Sequence, residues 1–276
     1  MKTLLAAIAG DLLGSCYEFD NYLGSPDDLP FFPVGAFATD DTVLTCAVAN
    51  ALLTARLTDG TIDERKFSLA LPDSLRRFAL RHPEAGYGDR FWNWVKRPGA
   101  PAYGSLGNGS AMRVLPCALA TDNLEVASRL ARLSALPTHN HPLGILGAVA
   151  TVHAVFRFRE GADGRERLKA EWHGRFSALG ELPDIATLSR PLPFDATCPG
   201  TVPFCAALAL TSGSWEDTVR RAVAFGGDCD TTAGIAGAIA GGAYPIPKAI
   251  RQAALQRLPN DLREVITHFE AKFCSD

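Results

Sequence analysis

Two acidic segments near opposite ends of the chain hold the residue types best suited to chemistry: Thr39, Asp40, Asp41 and Thr42 in FATDDTVLT, and Asp228, Asp230 and Thr231 in FGGDCDTTAG. Each lies where a loop runs into an apolar stretch, so their carboxylates and hydroxyls are expected at the starts of two helices. Oxygen donors of this kind suit hard cations such as Mg²⁺, Mn²⁺ or Ca²⁺, whereas zinc recruits histidine or cysteine. With Glu18 the set has five carboxylates. Brought together in a buried site, they would repel one another and raise each other's pKa unless cations neutralised them. The oxygens suffice for two cations, with Asp230 placed to be shared. Asp and Thr are also ordinary helix-start residues, so capping explains either segment taken alone. The recurrence of the pattern is what favours metal.

A second constellation is Tyr103 to Arg113, YGSLGNGSAMR, entering an apolar stretch. Gly104, Gly107 and Gly109 let a ligand approach the backbone, while Ser105, Asn108 and Ser110 add donors beside the free N–H groups of a helix start. Such a site suits phosphate. No GK[ST] follows and no strand precedes, so neither the P-loop nor the dinucleotide fingerprint is matched. A flexible turn with a Ser or Asn cap remains the plainer reading of the spacing. Thr138, His139, Asn140 and His141 precede Pro142 at another helix start. No Cys or third His stands nearby to complete a zinc site, which leaves ligand contact or a structural hydrogen bond. His153, His173 and His268 read as structural or surface residues. Cys229 has no activating base in sequence and reads as buried.

Helices are expected to position these groups. Residues 3 to 15 have helical spacing, with Gly10 and Gly14 on one face where another backbone can come close. Asp40 to Leu57 is apolar nearly all round, as in a buried helix, with Thr39 as N-cap. Residues 61 to 81 suggest two short helices divided at Pro72. Residues 82 to 108 read as a long ordered loop with a short helix around Phe91 to Lys96. Further helices are expected at 110 to 121, 123 to 136, 142 to 159, 164 to 179, 203 to 212 and 215 to 225, the last with a capping-box-like Ser214 and Asp217. The small residues of TAGIAGAIAGGAY predict a central helix packed almost backbone to backbone, and helices at 247 to 257 and 260 to 272 close the chain. No convincing period-2 run occurs, so the fold class is all-α. No linker separates the two acidic segments, and a single domain over 1–276 is expected.

A formal net charge of −3, from 27 Lys and Arg against 30 Asp and Glu, provides no electrostatic footprint for nonspecific nucleic-acid binding. The seven scattered cysteines read as reduced thiols of a cytoplasmic protein. The opening MKTLLAAIAGDLLGS has Asp11 inside its apolar run, which argues against a signal peptide. No apolar stretch reaches the roughly 20 residues of a membrane span.

From AGDLLGSCYE through FATDDTVLT, GNGSAMR and THNHP to GGDCDTTAGIAGAIAGG, the chain resembles the ADP-ribosylglycohydrolase family in both order and spacing. The resemblance implies a single compact, orthogonal multi-helix domain with a central metal-binding cleft that takes ADP-ribose and two divalent cations, Mg²⁺ or Mn²⁺. By similarity, Thr39, Asp40, Asp41 and Asp230 hold one ion. Asp228, Asp230 and Thr231, with Glu18 in some states, hold the other. Gly104, Ser105, Leu106, Gly107, Asn108, Gly109 and Ser110 match the diphosphate-binding loop, and His139 matches the histidine beside the distal ribose. Some relatives have a ligand-stacking aromatic where this chain has Leu106, so that contact is missing here or comes from another residue such as Tyr103.

The implied activity is hydrolysis of the bond between the distal ribose and a modified acceptor, a protein side chain or nucleic acid, with free ADP-ribose as product. Glu18 is the candidate mobile acid/base, and Asp228 the competing one. Other readings are hydrolysis of a small conjugate such as O-acetyl-ADP-ribose, a non-catalytic ADP-ribose-binding module, or a structural protein akin to lens crystallins. The intact acidic and glycine motifs argue against the last two. The acceptor is not legible, and its choice is expected to depend on the cleft rim, including a lid-like loop after Glu18. A monomer is expected.

Overall fold

In the computed structural model, which describes residues 2–274, the first helix and one near the other end of the chain are the innermost elements. Met1, Ser275 and Asp276 of the expected domain lie outside the described residues. The helices, in chain order, are α1 (Leu5–Gly14), α2 (Asp40–Ala55), α3 (Glu64–Arg81), α4 (Asp89–Val95), α5 (Gly109–Met112), α6 (Leu115–Leu119) and α7 (Leu124–Ala135). They continue with α8 (Pro142–Arg159), α9 (Gly161–Phe176), α10 (Cys198–Leu210), α11 (Trp215–Phe225), α12 (Cys229–Ala240), α13 (Lys248–Arg257) and α14 (Asn260–Phe273). Among the described residues there is no strand, only two isolated bridges, so the fold is all-α. Their buried apolar side chains form one contiguous core. No helix of the described residues is long and apolar enough to cross a membrane.

Every residue of α1 and of α12 is buried, and the pair meets backbone to backbone. A Cβ added at Gly10 would lie 2.3 Å from the carbonyl oxygen of Ala233, and one at Gly14 would lie 2.4 Å from Asp230 Cα. Gly237 repeats the approach from the other side, with a Cβ 2.4 Å from Ala6 O. Trp215 Nε1 donates to both Ala6 O and Gly237 O at 3.1 Å, bridging the two helices. The small-residue faces read from the sequence are therefore the joint that brings the two ends of the chain together. That joint sets Asp230 directly over Gly14.

Three helix boundaries depart from the sequence reading. The division expected at Pro72 does not occur, because α3 runs through Pro72 and buries Phe67, Leu71, Leu75 and Phe78. Continuous packing of that face outweighs the hydrogen bond lost at one proline. Helix α10 starts at Cys198, five residues earlier than expected, and carries Pro203 inside it. The helix expected at 110 to 121 is two short ones, with Pro116 at the second position of α6. In an unbroken helix Pro116 would lack its N–H and press on the carbonyl of Met112, so the chain restarts there.

The segment between α1 and α2 is tied down in its middle. Leu29 and Phe32 are buried, and Arg220 donates to Leu29 O while its guanidinium sits 4.3 Å over the Phe31 ring. Its outer residues Phe19, Leu23 and Val34 are exposed. The segment expected as a lid is thus anchored, and exposed Phe19 stacks on Phe194 with ring centroids 6.0 Å apart.

Candidate active site

Thr39 caps α2 as expected, its hydroxyl accepting from the N–H of Asp41 at 3.3 Å. The α2 start is fixed by a residue with no site role in the sequence reading, Asp11 of α1. Asp11 Oδ1 accepts from Thr39 Oγ1 at 2.7 Å, and Oδ2 accepts from the N–H groups of Thr39 at 3.2 Å and Thr42 at 3.1 Å and from the Thr42 hydroxyl. Because the Thr39 proton is spent on Asp11, the Thr39 oxygen has only lone pairs left to present. A lone aspartate in an apolar helix, one residue after Gly10 and three before Gly14, the two glycines of the face joined to α12, was the available signal.

The two acidic segments meet. Thr231 Oγ1 donates to Asp41 Oδ2 at 3.1 Å across a sequence separation of 190 residues. Ligand oxygens of Glu18, Asp228 and Asp230 all lie within 4.8 Å of one another. Asp41 Oδ1 is buried with no hydrogen-bond partner among the described residues. Burial, followed by the charges of neighbouring carboxylates, raises Asp40, Asp41 and Asp230 well above the ordinary carboxylate range. The same causes, with Asp228 and Asp11 as the neighbours, bring half-buried Glu18 to about 7. Burial also raises Asp228, against the hydrogen bond from Asn108. An orphaned buried oxygen amid mutually repelling carboxylates, all of the donors oxygen, is the chemistry that a divalent hard cation satisfies.

These residues floor a cleft of about 480 Å³, walled by Ser105, Gly107, Asn108, Gly109, Tyr103 and His139 on one side and by Gly86, Asp89, Arg90 and Phe91 on another. That volume falls within the range of small-molecule and cofactor sites. In the glycine loop, much of the donor capacity is already used. The N–H groups of Gly104, Ser105, Gly107 and Asn108 bond to Asn140 Oδ1, Thr138 O, Ser105 Oγ and Ala196 O. The first bond of α5 comes from Ala111 N, which leaves the N–H groups of Gly109 and Ser110 as those of a helix start. Gly104, Leu106 and Ser110 do not line the cleft, and the Ser110 hydroxyl donates to Gly144 O at 2.6 Å. Asn108 Nδ2 donates to Asp228 Oδ2 at 2.7 Å and to Thr201 Oγ1 at 3.1 Å, so this side chain orients a carboxylate.

The two histidines of THNHP divide. His139 faces the cleft, whereas His141 caps α8 by accepting from Leu143 N at 3.2 Å. Tyr103 lines the cleft with its ring 6.3 Å from that of His139. The Arg90 guanidinium lies 4.9 Å over the Tyr103 ring and occupies one of its faces. Cys229 is buried, its thiol donating to Gly14 O and its pKa pushed up by burial. All seven cysteines are free.

The chain is similar over most of its length to known proteins. The zebrafish (Danio rerio) ADP-ribosylhydrolase ARH3 is 28% identical over 87% of this chain and 82% of its own length. The human protein of that name is 27% identical over 87% of this chain and 84% of its own length. Among solved structures, an ADP-ribosylglycohydrolase-related protein complex superposes with a TM-score of 0.70 over 98% of this chain and 96% of that one, at 23% identity, a likeness of fold. The sequence model of the ADP-ribosylglycohydrolase family matches residues 1–274. With that match over nearly its whole length, the chain belongs to the ADP-ribosylglycohydrolase family and is a hydrolase of ADP-ribose conjugates.

Proposed function

We propose that the protein is a divalent-cation-dependent hydrolase that releases ADP-ribose from a modified macromolecular acceptor, with 1–276 acting as one domain and as a monomer. The observation that carries this reading is the contact between Thr231 and Asp41, which joins the two acidic segments around a buried carboxylate oxygen without a partner. Thr39, Asp40, Asp41 and Asp230 would hold one Mg²⁺ or Mn²⁺. Asp228, Asp230 and Thr231, with Glu18 in some states, would hold a second. Bound there, the cations supply Lewis acidity and alignment for the ribose hydroxyls.

The protein's own groups account for the remaining steps. Cleavage of an anomeric C–X bond has oxocarbenium character and needs a proton for the leaving atom. Glu18 lines the cleft, and in the metal-free protein burial and the neighbouring Asp228 and Asp11 charges raise it to about 7, which suits a group that gives and takes a proton. It donates that proton as the bond breaks and, once ionised, accepts one from the incoming water. Asp228 is held by Asn108 at 2.7 Å, which favours a fixed ligand role over proton transfer. The N–H group of Gly109, with Ser105, Gly107 and His139 alongside, receives the diphosphate and distal ribose. Free cysteines throughout fit a reducing, cytoplasmic compartment.

A panel of defined ADP-ribosylated peptides (arginine-, serine- and threonine-linked), ADP-ribosylated nucleic acid and O-acetyl-ADP-ribose, each assayed in Mg²⁺ and in EDTA, tests this. Release of ADP-ribose from a macromolecular conjugate in Mg²⁺ alone supports it. Equal release in EDTA, or cleavage of O-acetyl-ADP-ribose only, overturns it.

A further inference from the structure

His139 is buried, and its side chain is wedged between two different kinds of neighbour. On one edge, Nδ1 lies 2.7 Å from Thr138 Oγ1. On the other, Nε2 faces the glycine loop, 3.0 Å from where a Cβ on Gly109 would stand and 3.6 Å from one on Gly107. Nε2 has no hydrogen-bond partner among the described residues, and the ring lines the cleft.

Thr138 is in turn held from behind. Arg113, fully buried, donates through Nη2 to Thr138 Oγ1 at 2.9 Å and to Ser134 O at 2.9 Å. A guanidinium has donors only, so Thr138 must accept from it. The single Thr138 proton is then available to His139 Nδ1, and 2.7 Å is the length usual for an O–H donor, whereas ring N–H donors sit nearer 2.9–3.0 Å. The other group at Thr138 is the Tyr103 phenol, whose pKa burial raises; a protonated phenol can donate to the remaining lone pair of Thr138. Burial and the nearby Arg113 and Arg90 charges keep the His139 imidazole neutral.

We propose that Arg113 and Thr138 are positioning residues that lock His139 in the tautomer with its proton on Nε2, so that it presents an N–H into the glycine loop to an acceptor oxygen of the ligand. Neutral imidazole can carry its proton on either nitrogen, and the hydrogen bond at one nitrogen decides the character of the other. With the proton on Nε2, His139 adds a second donor beside the N–H group of Gly109. With the proton on Nδ1, it would place a lone pair against a phosphate oxygen of the ligand, which has no proton to donate, and repel it. This inference rests on the reading of the cleft as an ADP-ribose site for the identity of the ligand, but not for the tautomer.

Two-bond ¹H–¹⁵N correlation NMR of the ¹⁵N-histidine-labelled metal-free protein reads the tautomer without any ligand, and titration calorimetry with ADP-ribose reads its consequence. Wild type is expected to show a pyrrole-type Nε2 and a pyridine-type Nδ1 for His139. Thr138→Val should bring the Nδ1–H form into the spectrum and weaken ADP-ribose binding about 10-fold, the equivalent of one hydrogen bond to a charged acceptor. Thr138→Ser, which keeps the hydroxyl, should restore both. A wild-type spectrum with the proton on Nδ1 overturns the proposal, as does a Thr138→Val protein with the wild-type tautomer. If the tautomer is as expected and ADP-ribose does not bind wild type, the functional reading fails while the positioning role stands.

Discussion

Asp11 Oδ1 stands 2.7 Å from Thr39 Oγ1 and takes its proton. Through this bond α1 sets both the start of α2 and the direction in which the Thr39 oxygen offers its lone pairs. Asp11 is buried and satisfied by four donors from two threonines, an arrangement that an amide cannot reproduce. In Asp11→Asn the NH₂ group would either replace Oδ1 and force the Thr39 hydroxyl to turn its proton away, or replace Oδ2 and face two N–H donors. It is expected to destabilise the fold by about 1–3 kcal/mol, read as a fall in melting temperature of roughly 2–4 °C per kcal/mol for a chain of this size. Manganese affinity measured by calorimetry should fall as well. Unchanged affinity would remove Asp11 from the site.

The carboxylates beyond Thr39 should behave in the opposite way. Burial and mutual repulsion raise Asp41 well above its ordinary pKa, so Asp41→Asn relieves strain in the metal-free protein while deleting an anionic ligand. In EDTA its melting temperature should equal or exceed that of wild type. On adding Mg²⁺, wild type should gain stability by mass action, and the variant should gain little and lose hydrolysis. Asp228→Asn should lose hydrolysis in the same way. Either variant, if active and loaded with metal at the wild-type level, would remove that residue from the ligand set.

Glu18 is separable from its neighbours because it is only half-buried and, among the described residues, has no hydrogen-bond partner. Glu18→Gln should lower turnover by roughly 10²- to 10⁴-fold, the range for loss of a general acid, and far more than it weakens ADP-ribose binding by calorimetry. Product release at the wild-type rate would exclude Glu18 as the proton donor.

Stability of the metal-free protein should depend on pH with a definite sign. Asp11 is raised from 3.8 to about 6 and Glu18 from 4.5 to about 7, both mainly by burial. A carboxyl whose folded pKa lies above its unfolded one contributes stability at low pH that is lost as pH rises through the folded value. In EDTA the melting temperature should therefore fall between about pH 4 and pH 7. Saturating Mg²⁺ should flatten or reverse that fall, because cation binding favours the ionised forms. A metal-free melting temperature that rises through this window would contradict the buried repulsive cluster.

Much of the site was legible because its signals are local. The Thr39 cap, the small-residue face of α12 and the Gly10 and Gly14 spacing each follow from one stretch of chain, and each is present. What was not legible depends on partners distant in sequence. Asp11 looks like a misplaced charge until α2 is packed against it, and Asn108 looks like a phosphate donor until Asp228 arrives at 2.7 Å. Pro72 and Pro116 are the same residue type with opposite outcomes. The first sits in a helix whose face buries Phe67, Leu71, Leu75 and Phe78, whereas the second separates two short helices. Propensity alone does not decide between them.

Anomalous diffraction at the manganese edge from Mn²⁺-soaked crystals addresses the pairing of the two acidic segments most directly. Two peaks are expected, the pair enclosed by oxygens from both the 39–41 and the 228–231 segments, with Asp230 touching both. An empty cluster at saturating Mn²⁺, or a single ion held by one segment with the carboxylates of the other turned away from it, would contradict a binuclear centre assembled from the two ends of the chain.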